Sequence, residues 1–348
     1  MIAAALRPLR DVQERLEGWF LDAKRGTYGA SFSRIVAGLA VLGILVTNLG
    51  TRYALWGPGS AWAAPIRERS VWGGLHELWS TSSPLLFTLQ YLVLMALAVC
   101  VIIGWRTRAA IVLLVIGMTA LVERNPMVGD QGDNITRIGL IWLAVATASE
   151  HWSLDARRRR RALARGGTLT RAQRWWAGLP VLPAWAGAAV HNLALMALAL
   201  QVFVLYLASA LYKIQGDLWQ NGTALYYPLS LHEYAVLPWA NDLLTSNGLI
   251  LTAATYFAVF VQLFFAPSLL HPYTRRIAVP AVIAMHVGIA VLMGLPWFSL
   301  SMIAFDGIFV STLTYRRLEA WAGPRLRTLG DRVAARLPRP RSEPATTS

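Results

Sequence analysis

The sequence predicts an all-α, polytopic integral membrane protein of about eight transmembrane helices. Both termini are expected in the cytoplasm, each with an amphipathic interfacial helix. Three observations predict this. The 348 residues are 56% hydrophobic and only 14% charged, whereas an average globular protein carries about 25% charged residues. The apolar residues gather into runs near the roughly 20 residues a helix needs to cross the bilayer core. The basic residues fall on alternate connections between those runs.

The predicted spans are 32–50, 83–103, 107–123, 134–150, 189–214, 247–267, 277–294 and 296–314. The fifth, with LALMALALQVFVLYLASALY, is the clearest, and the third and fourth are individually the weakest. Numbering connections from a cytoplasmic N-terminus places 25 Lys and Arg residues inside. Only Arg52, Arg67, Arg69 and Arg124 lie outside, and Arg34, Arg137 and Lys213 fall within spans, Arg108 being counted with the GWRTR connection. Such a bias is the positive-inside rule, and a wrong span count would scramble it. The net charge of +14 is therefore read as topology. ARRRRRALAR at 156–165 looks like a nucleic-acid patch in isolation. Between two spans it reads as a topology determinant touching anionic headgroups, so membrane lipid and not nucleic acid is the expected partner.

Three segments follow: an amphipathic cytoplasmic segment at 1–30, a transmembrane domain at 31–315 and a basic cytoplasmic tail at 316–348. Leu9, Val12, Leu16, Trp19 and Phe20 recur at helical spacing among charges, as do Leu318, Trp321, Leu326, Leu329 and Val333 around Pro324. Both series suit helices lying on the inner leaflet. Fifteen Trp, many near span ends, suit aromatic belts. The first apolar run starts some 30 residues in, unlike a cleaved signal peptide. The closing PRPRSEPATTS reads as disordered.

Cys100 is the single cysteine, which excludes an internal disulfide framework and multi-cysteine metal sites. No Walker motif, C-x-x-C-H, H-E-x-x-H or G-x-S-x-G occurs, and the six His form no i,i+4 pair. No metal is expected.

Ionisable groups at membrane depth are costly and mark sites by default. Asp130, Asp133 and Arg137 in GDQGDNITRIG share one face if helical, with Asn134 available as a cap. They form either a capped helix with a local Asp133–Arg137 pair or an outward-facing polar site. Lys213 is one of two lysines against thirty arginines. Arg would serve wherever a fixed charge suffices, whereas a buried Lys can lose its proton and act as a base. The alternative is a snorkelling Lys213 paired with Asp217 at i,i+4. His286 lies mid-run in AVIAMHVGIAVLMG and needs a partner; Asp306 must be protonated or find Arg137, Arg34 or His286. Gln201 and Arg34 are weaker candidates, and Arg34 is expected to snorkel. The loop at 215–246 has no Lys or Arg but holds Trp219, Tyr226, Tyr227, His232, Glu233, Tyr234 and Trp239. It is either a lid over an apolar, planar ligand or an interfacial re-entrant segment.

GDQGDNITRIGL, SALYKIQGDLWQNGTALYYPL and AMHVGIAVLMGLPWFSLSMIAFD, in this order, resemble the HTTM (horizontally transferred transmembrane) family over about residues 30–315. This family is related to the membrane domain of vitamin K-dependent gamma-carboxylase, and its bacterial members include proteins similar to the sporulation-delaying-peptide maturation protein. The resemblance implies a reduced naphthoquinone cofactor, menaquinol or vitamin K hydroquinone, and chemistry of the carboxylase–epoxidase kind, a lyase activity. It implies Lys213 as the base, with Trp219 and Gly222 completing its local pattern, and His286 as a second catalytic residue. Asp130, Asp133, Asn134, Arg137, Asp217, Trp219 and Asp306 would line the substrate and cofactor site. A family histidine falls on or near Asn134 here, which departs from a strict carboxylase. Only some 35 residues follow the eighth run, basic and cytoplasmic by charge, so a peptide substrate would need another docking surface or a partner protein.

The expected function is quinol-dependent modification of a secreted peptide or small substrate at the outer face of a bacterial cell membrane. The alternative is a non-catalytic membrane protein: a quinone or lipid binder, an immunity partner or an assembly factor. Inverted repeats and paired broken helices, which mark many transporters, are not evident.

Overall fold

The computed structural model describes residues 7–67, 73–166, 168 and 170–336, and among these the regular structure is entirely helical. The principal helices are α1 (Arg7–Leu21), α2 (Thr27–Thr47), α3 (Pro84–Ile103), α4 (Thr107–Val122), α5 (Gln131–Val145), α6 (Leu154–Ala164) and α7 (Arg171–Ala177). They continue with α8 (Ala184–Ile214), α9 (Pro238–Thr245), α10 (Gly248–Leu263), α11 (Pro272–Leu292), α12 (Pro296–Asp306) and α13 (Thr312–Arg336). The chain forms two compact units, Met1–Phe309 and Val310–Ser348.

Each of the eight apolar runs contains a helix, namely α2, α3, α4, α5, α8, α10, α11 and α12. Among the described residues four of them, α2, α3, α8 and α11, are long and apolar enough to cross a membrane. The number rises to six if each of two bent helix pairs is one span. α9 and α10 form such a pair, bent by 98°. The helices of the fourth and eighth runs are shorter than the runs themselves. α5 gives way to extended backbone at Ala146, and α12 ends at Asp306 before a 3₁₀ turn. Large apolar side chains point outward along whole faces, such as Leu85, Leu89 and Val93 on α3 and Leu193, Met196 and Leu200 on α8. Continuous apolar faces of this size are where lipid takes the place of water.

Helix boundaries follow local chemistry. Ser83 caps α3 ahead of Pro84, Ser153 caps α6, and Asn247 caps α10. Pro272 and Pro296 open α11 and α12, where a missing N–H costs nothing. At α5 the cap is Asp130 and not Asn134. The Asp130 carboxylate accepts from Gly132 N at 2.6 Å and Asp133 N at 3.3 Å, and Asp133 answers by accepting from Asp130 N at 3.0 Å. This reciprocal box satisfies the orphan donors one turn earlier than the sequence suggested.

The core of the first unit is built on polar bonds as well as apolar contact. Arg34 on α2 is fully buried, so the expected snorkelling does not occur. All five of its N–H groups find backbone carbonyls. Nε donates to Ala148 at 2.9 Å, Nη1 to Ile102 at 2.6 Å and to Val101, and Nη2 to Trp152 at 3.0 Å and His151 at 3.4 Å. Val101 and Ile102 end α3, whose last carbonyls have no partners inside the helix. Asp155 does the opposite job nearby, accepting from the backbone of Arg106 and Thr107 at the start of α4 at 3.0 and 2.8 Å. Gly104 sits between the two. Its φ is +68°, and a Cβ there would lie 2.3 Å from Ser153, so only glycine fits the turn. α12 packs against α2 and α11, so closely that the Trp297 ring occupies the space of a Cβ on Gly43.

α1 docks on α8 through Asn192. Its amide donates to the carbonyls of Phe20 and Ala23 at 2.9 Å each and accepts from Arg25 N at 2.8 Å. Val12, Leu16 and Trp19 stay exposed, as an interfacial face requires. In the second unit, α13 exposes Leu318 and Trp321, and Arg325 lies 4.0 Å over the Trp321 ring. The side chains of Leu9, Arg67, Leu326, Leu329 and Val333, with Arg69 and the closing residues 337–348, lie outside the described residues.

Replacing Arg34 by Leu keeps the helix and its bulk but orphans buried carbonyls. Hydrogen bonds to a charged group are worth about 1.5–3 kcal/mol each, so the variant should lose at least about 3 kcal/mol. A large drop in thermal midpoint in detergent checks this, with the exposed Arg165→Leu as the unchanged control.

Candidate functional site

Helices α5, α8, α10, α11 and α12 enclose a cavity of about 1150 Å³. That is slightly above the roughly 300–1,000 Å³ of sites that bury a small organic ligand. Its wall is mostly apolar: Val204, Leu205, Phe257, Ile289 and Phe298 are representative. Trp219, Leu225 and Pro228 of the aromatic connection also line it. Asn241 on α9 ties this connection down, donating to the carbonyls of Leu229 and Leu292 at 3.1 Å each.

A few polar side chains interrupt the apolar wall. Lys213 and Ser209 line it from one face of α8, and Tyr206, three residues before Ser209 on the same face, lies outside the lining. Lys213 Nζ donates to Ser209 Oγ at 2.5 Å and to Gln262 Oε1 at 2.8 Å, with the Ser209 carbonyl at 3.5 Å. The Trp219 ring lies 5.3 Å from the same nitrogen, within cation–π range. Gln262 is buried and points its amide nitrogen at Met285 Sδ, 3.7 Å away. Among the described residues Lys213 has no carboxylate partner; Asp217 lies on an exposed turn four residues on. A neutral lysine has two N–H groups and a lone pair. The Ser209 hydroxyl and Gln262 engage two positions of the nitrogen closely, and the third faces only the long 3.5 Å contact to the Ser209 carbonyl, which a ligand can displace.

His286 on α11 also lines the cavity and is buried. Its Nε2 is 3.0 Å from the Tyr206 hydroxyl, and its Nδ1 has no partner among the described residues. The Tyr206 hydroxyl in turn lies 2.9 Å from both carboxylate oxygens of Asp306. Asp306 thus finds Tyr206, and it sits behind the cavity wall, outside the lining.

Asn134 and Gln131 reach the cavity from α5. Arg137 does not line it. Arg137 is bonded to Asn134 and makes an ion pair with Glu123 at 3.0 Å. Asp130 and Asp133 line a separate, smaller cavity of about 180 Å³ beside Asn48, Trp56 and Trp297. Of the candidates read from the sequence, Lys213, His286, Asn134, Trp219 and Gln201 therefore share one cavity, while Asp130, Asp133, Arg137, Asp217 and Asp306 lie outside its lining. Tyr206, Ser209 and Gln262 were not singled out. The spacing of Tyr206, Ser209 and Lys213 was a readable signal, and so was a lone amide in the apolar run of α10. No group of three or more His, Cys, Asp or Glu able to hold a metal occurs among the described residues.

A Cβ added at Gly288, on the cavity lining, meets no atom within 4 Å. Gly288→Leu should therefore be tolerated, gaining roughly 0.5–1 kcal/mol of helix propensity, while filling cavity space. A thermal midpoint in detergent at or above that of wild type checks this, and a clear fall would contradict it.

The HTTM domain model matches residues 34–312. Sporulation-delaying protein SdpB of Bacillus subtilis (strain 168) is 30% identical over 131 residues, 36% of this chain. The match spans 40% of that relative's length. No solved structure matches the chain.

Proposed function

The chain belongs to the HTTM domain family, and on that premise we propose a membrane enzyme that uses a lipid quinol, menaquinol or a vitamin K-type hydroquinone. It modifies a secreted peptide or small substrate at the outer face, by carboxylation-like chemistry. The observation that carries this reading is one apolar cavity holding both an amine without a carboxylate partner and an imidazole with a free ring nitrogen. A planar, apolar ring with polar oxygens at its edge fits that set of walls and polar atoms. When bound, the quinol supplies hydroxyl protons and an electron pair.

The chain's residues supply the rest. Lys213 is the base that takes a proton from a ligand hydroxyl. Ser209 and Gln262 fix its nitrogen, and Trp219 covers it from water, which strengthens every polar contact inside. His286 and Asn134 offer further hydrogen-bonding positions. The topology proposed for this chemistry is eight spans in the bacterial plasma membrane, with both termini cytoplasmic. The Lys213 end of α8 is then at the outer edge of the hydrocarbon, where a bilayer-soluble quinol and an aqueous substrate can meet. The substrate reaches this end from the outer side, directly or delivered by a partner protein.

Lys213→Arg tests the base. Arg keeps the charge and much of the length but cannot give up its proton. Purified wild type should oxidise reduced 2-methyl-1,4-naphthoquinone with oxygen. The variant should be expressed and monodisperse yet slower by about 10²–10⁴-fold, the usual worth of a positioned base. An unchanged rate in the variant, or no oxidation by wild type, would instead favour a non-catalytic quinone or lipid binder.

A further inference from the structure

From His286 on the cavity wall, three buried polar groups form a line into the helix bundle. Asp306 is 0% exposed, His286 1% and Tyr206 1%. Each belongs to a different helix, α12, α11 and α8, and the Tyr206 hydroxyl is the shared joint. That hydroxyl has one hydrogen and can accept others. If it gives the hydrogen to Asp306, its oxygen must accept from His286 Nε2–H. The imidazole Nδ1 then carries a bare lone pair, and Nδ1 is the ring atom without a protein partner. If Asp306 instead holds a proton, every bond in the line reverses and Nδ1 becomes a donor. The heavy atoms keep their places in both forms.

We propose that His286, Tyr206 and Asp306 are a proton relay serving the cavity, with Asp306 the terminal acceptor. The proposal rests on the reading of the ligand as a quinol, which has two hydroxyl protons to give up while Lys213 can take one. The steps balance. A ligand O–H bond breaks and the His286 Nδ1–H bond forms. The Nε2–H proton passes to the Tyr206 oxygen, and the original Tyr206 proton passes to Asp306. One negative charge leaves Asp306 and appears on the ligand oxygen, and no electron or co-reactant is needed. His286 touches the ligand; Tyr206 and Asp306 act through it as positioning residues. A buried carboxyl can be retained at such depth because the hydroxyl satisfies it and the relay gives it a use.

The test reads the proton position directly. Full-length protein labelled with ¹⁵N-histidine is reconstituted in lipid, and His286→Asn identifies the His286 signals by their loss. Ligand-free wild type should show the proton on Nε2 and a bare Nδ1. Tyr206→Phe should lose that preference, because neither its acceptor nor its link to Asp306 remains. Anaerobic addition of 1,4-naphthohydroquinone should move the proton from Nε2 to Nδ1 in wild type and leave it unmoved in Asp306→Asn. A ligand-free wild type protonated on Nδ1 would overturn the relay, and so would a transfer in Asp306→Asn equal to wild type. The ligand-free tautomer needs no variant beyond the assignment, so a Tyr206→Phe protein that fails to fold does not spare the proposal. Binding is followed separately by tryptophan quenching. If the hydroquinone does not bind, the quinol reading fails, while the ligand-free tautomer still decides whether the relay is built as stated.

Discussion

The fold depends on one requirement: a polar group away from water must be satisfied by protein. The Arg34 guanidinium meets it most completely, with five donors on five backbone carbonyls. A single side chain on α2 thereby closes the end of α3 and anchors the turns between α5 and α6. Asp155 supplies the matching acceptor for the start of α4. An isolated buried charge would be very costly. Here the charge is spread over carbonyl dipoles that would otherwise be orphans themselves. Asn192 repeats the device for α1. Hydrogen bonds at helix ends therefore fix the arrangement, while apolar faces are left to lipid, which offers little drive for helices to associate.

The same requirement makes the cavity informative. Most of its lining is apolar, so each polar atom that enters it has been held there against a cost. Lys213 is held by a hydroxyl and an amide and not by a carboxylate. A carboxylate would fix the ammonium form, whereas neutral acceptors leave the nitrogen's protonation open to the ligand. His286 is held by one ring nitrogen only. Both features suit groups that exchange protons with something in the cavity better than they suit structural locks such as Arg34.

Much of the fold was legible in the sequence because the signals were local. The run at 83–103 became Pro84–Ile103, and that at 107–123 became Thr107–Val122, since apolar length, Pro and Gly decide such boundaries within one segment. Lys213 was legible as a rarity, and His286 as an ionisable residue in an apolar run. What the sequence could not show were partners distant along the chain. Arg34 looked like a snorkelling residue because the carbonyls it serves lie 67 to 118 residues away. Tyr206 looked like one more aromatic on an apolar helix until Asp306, 100 residues on, was placed against it. Asp130 and Asp133 looked like a site, yet a capping box accounts for their mutual bonds. Residues sharing a helix face need not face the same cavity.

The central proposal is that the cavity takes a membrane quinone. Its most direct test is native extraction of the purified protein followed by mass spectrometry of the bound lipids, for wild type and Lys213→Ala. The account predicts near-stoichiometric quinone in the wild type and a marked loss in the variant. Recovery of bulk phospholipid alone, with no quinone enriched over the surrounding membrane, would contradict it.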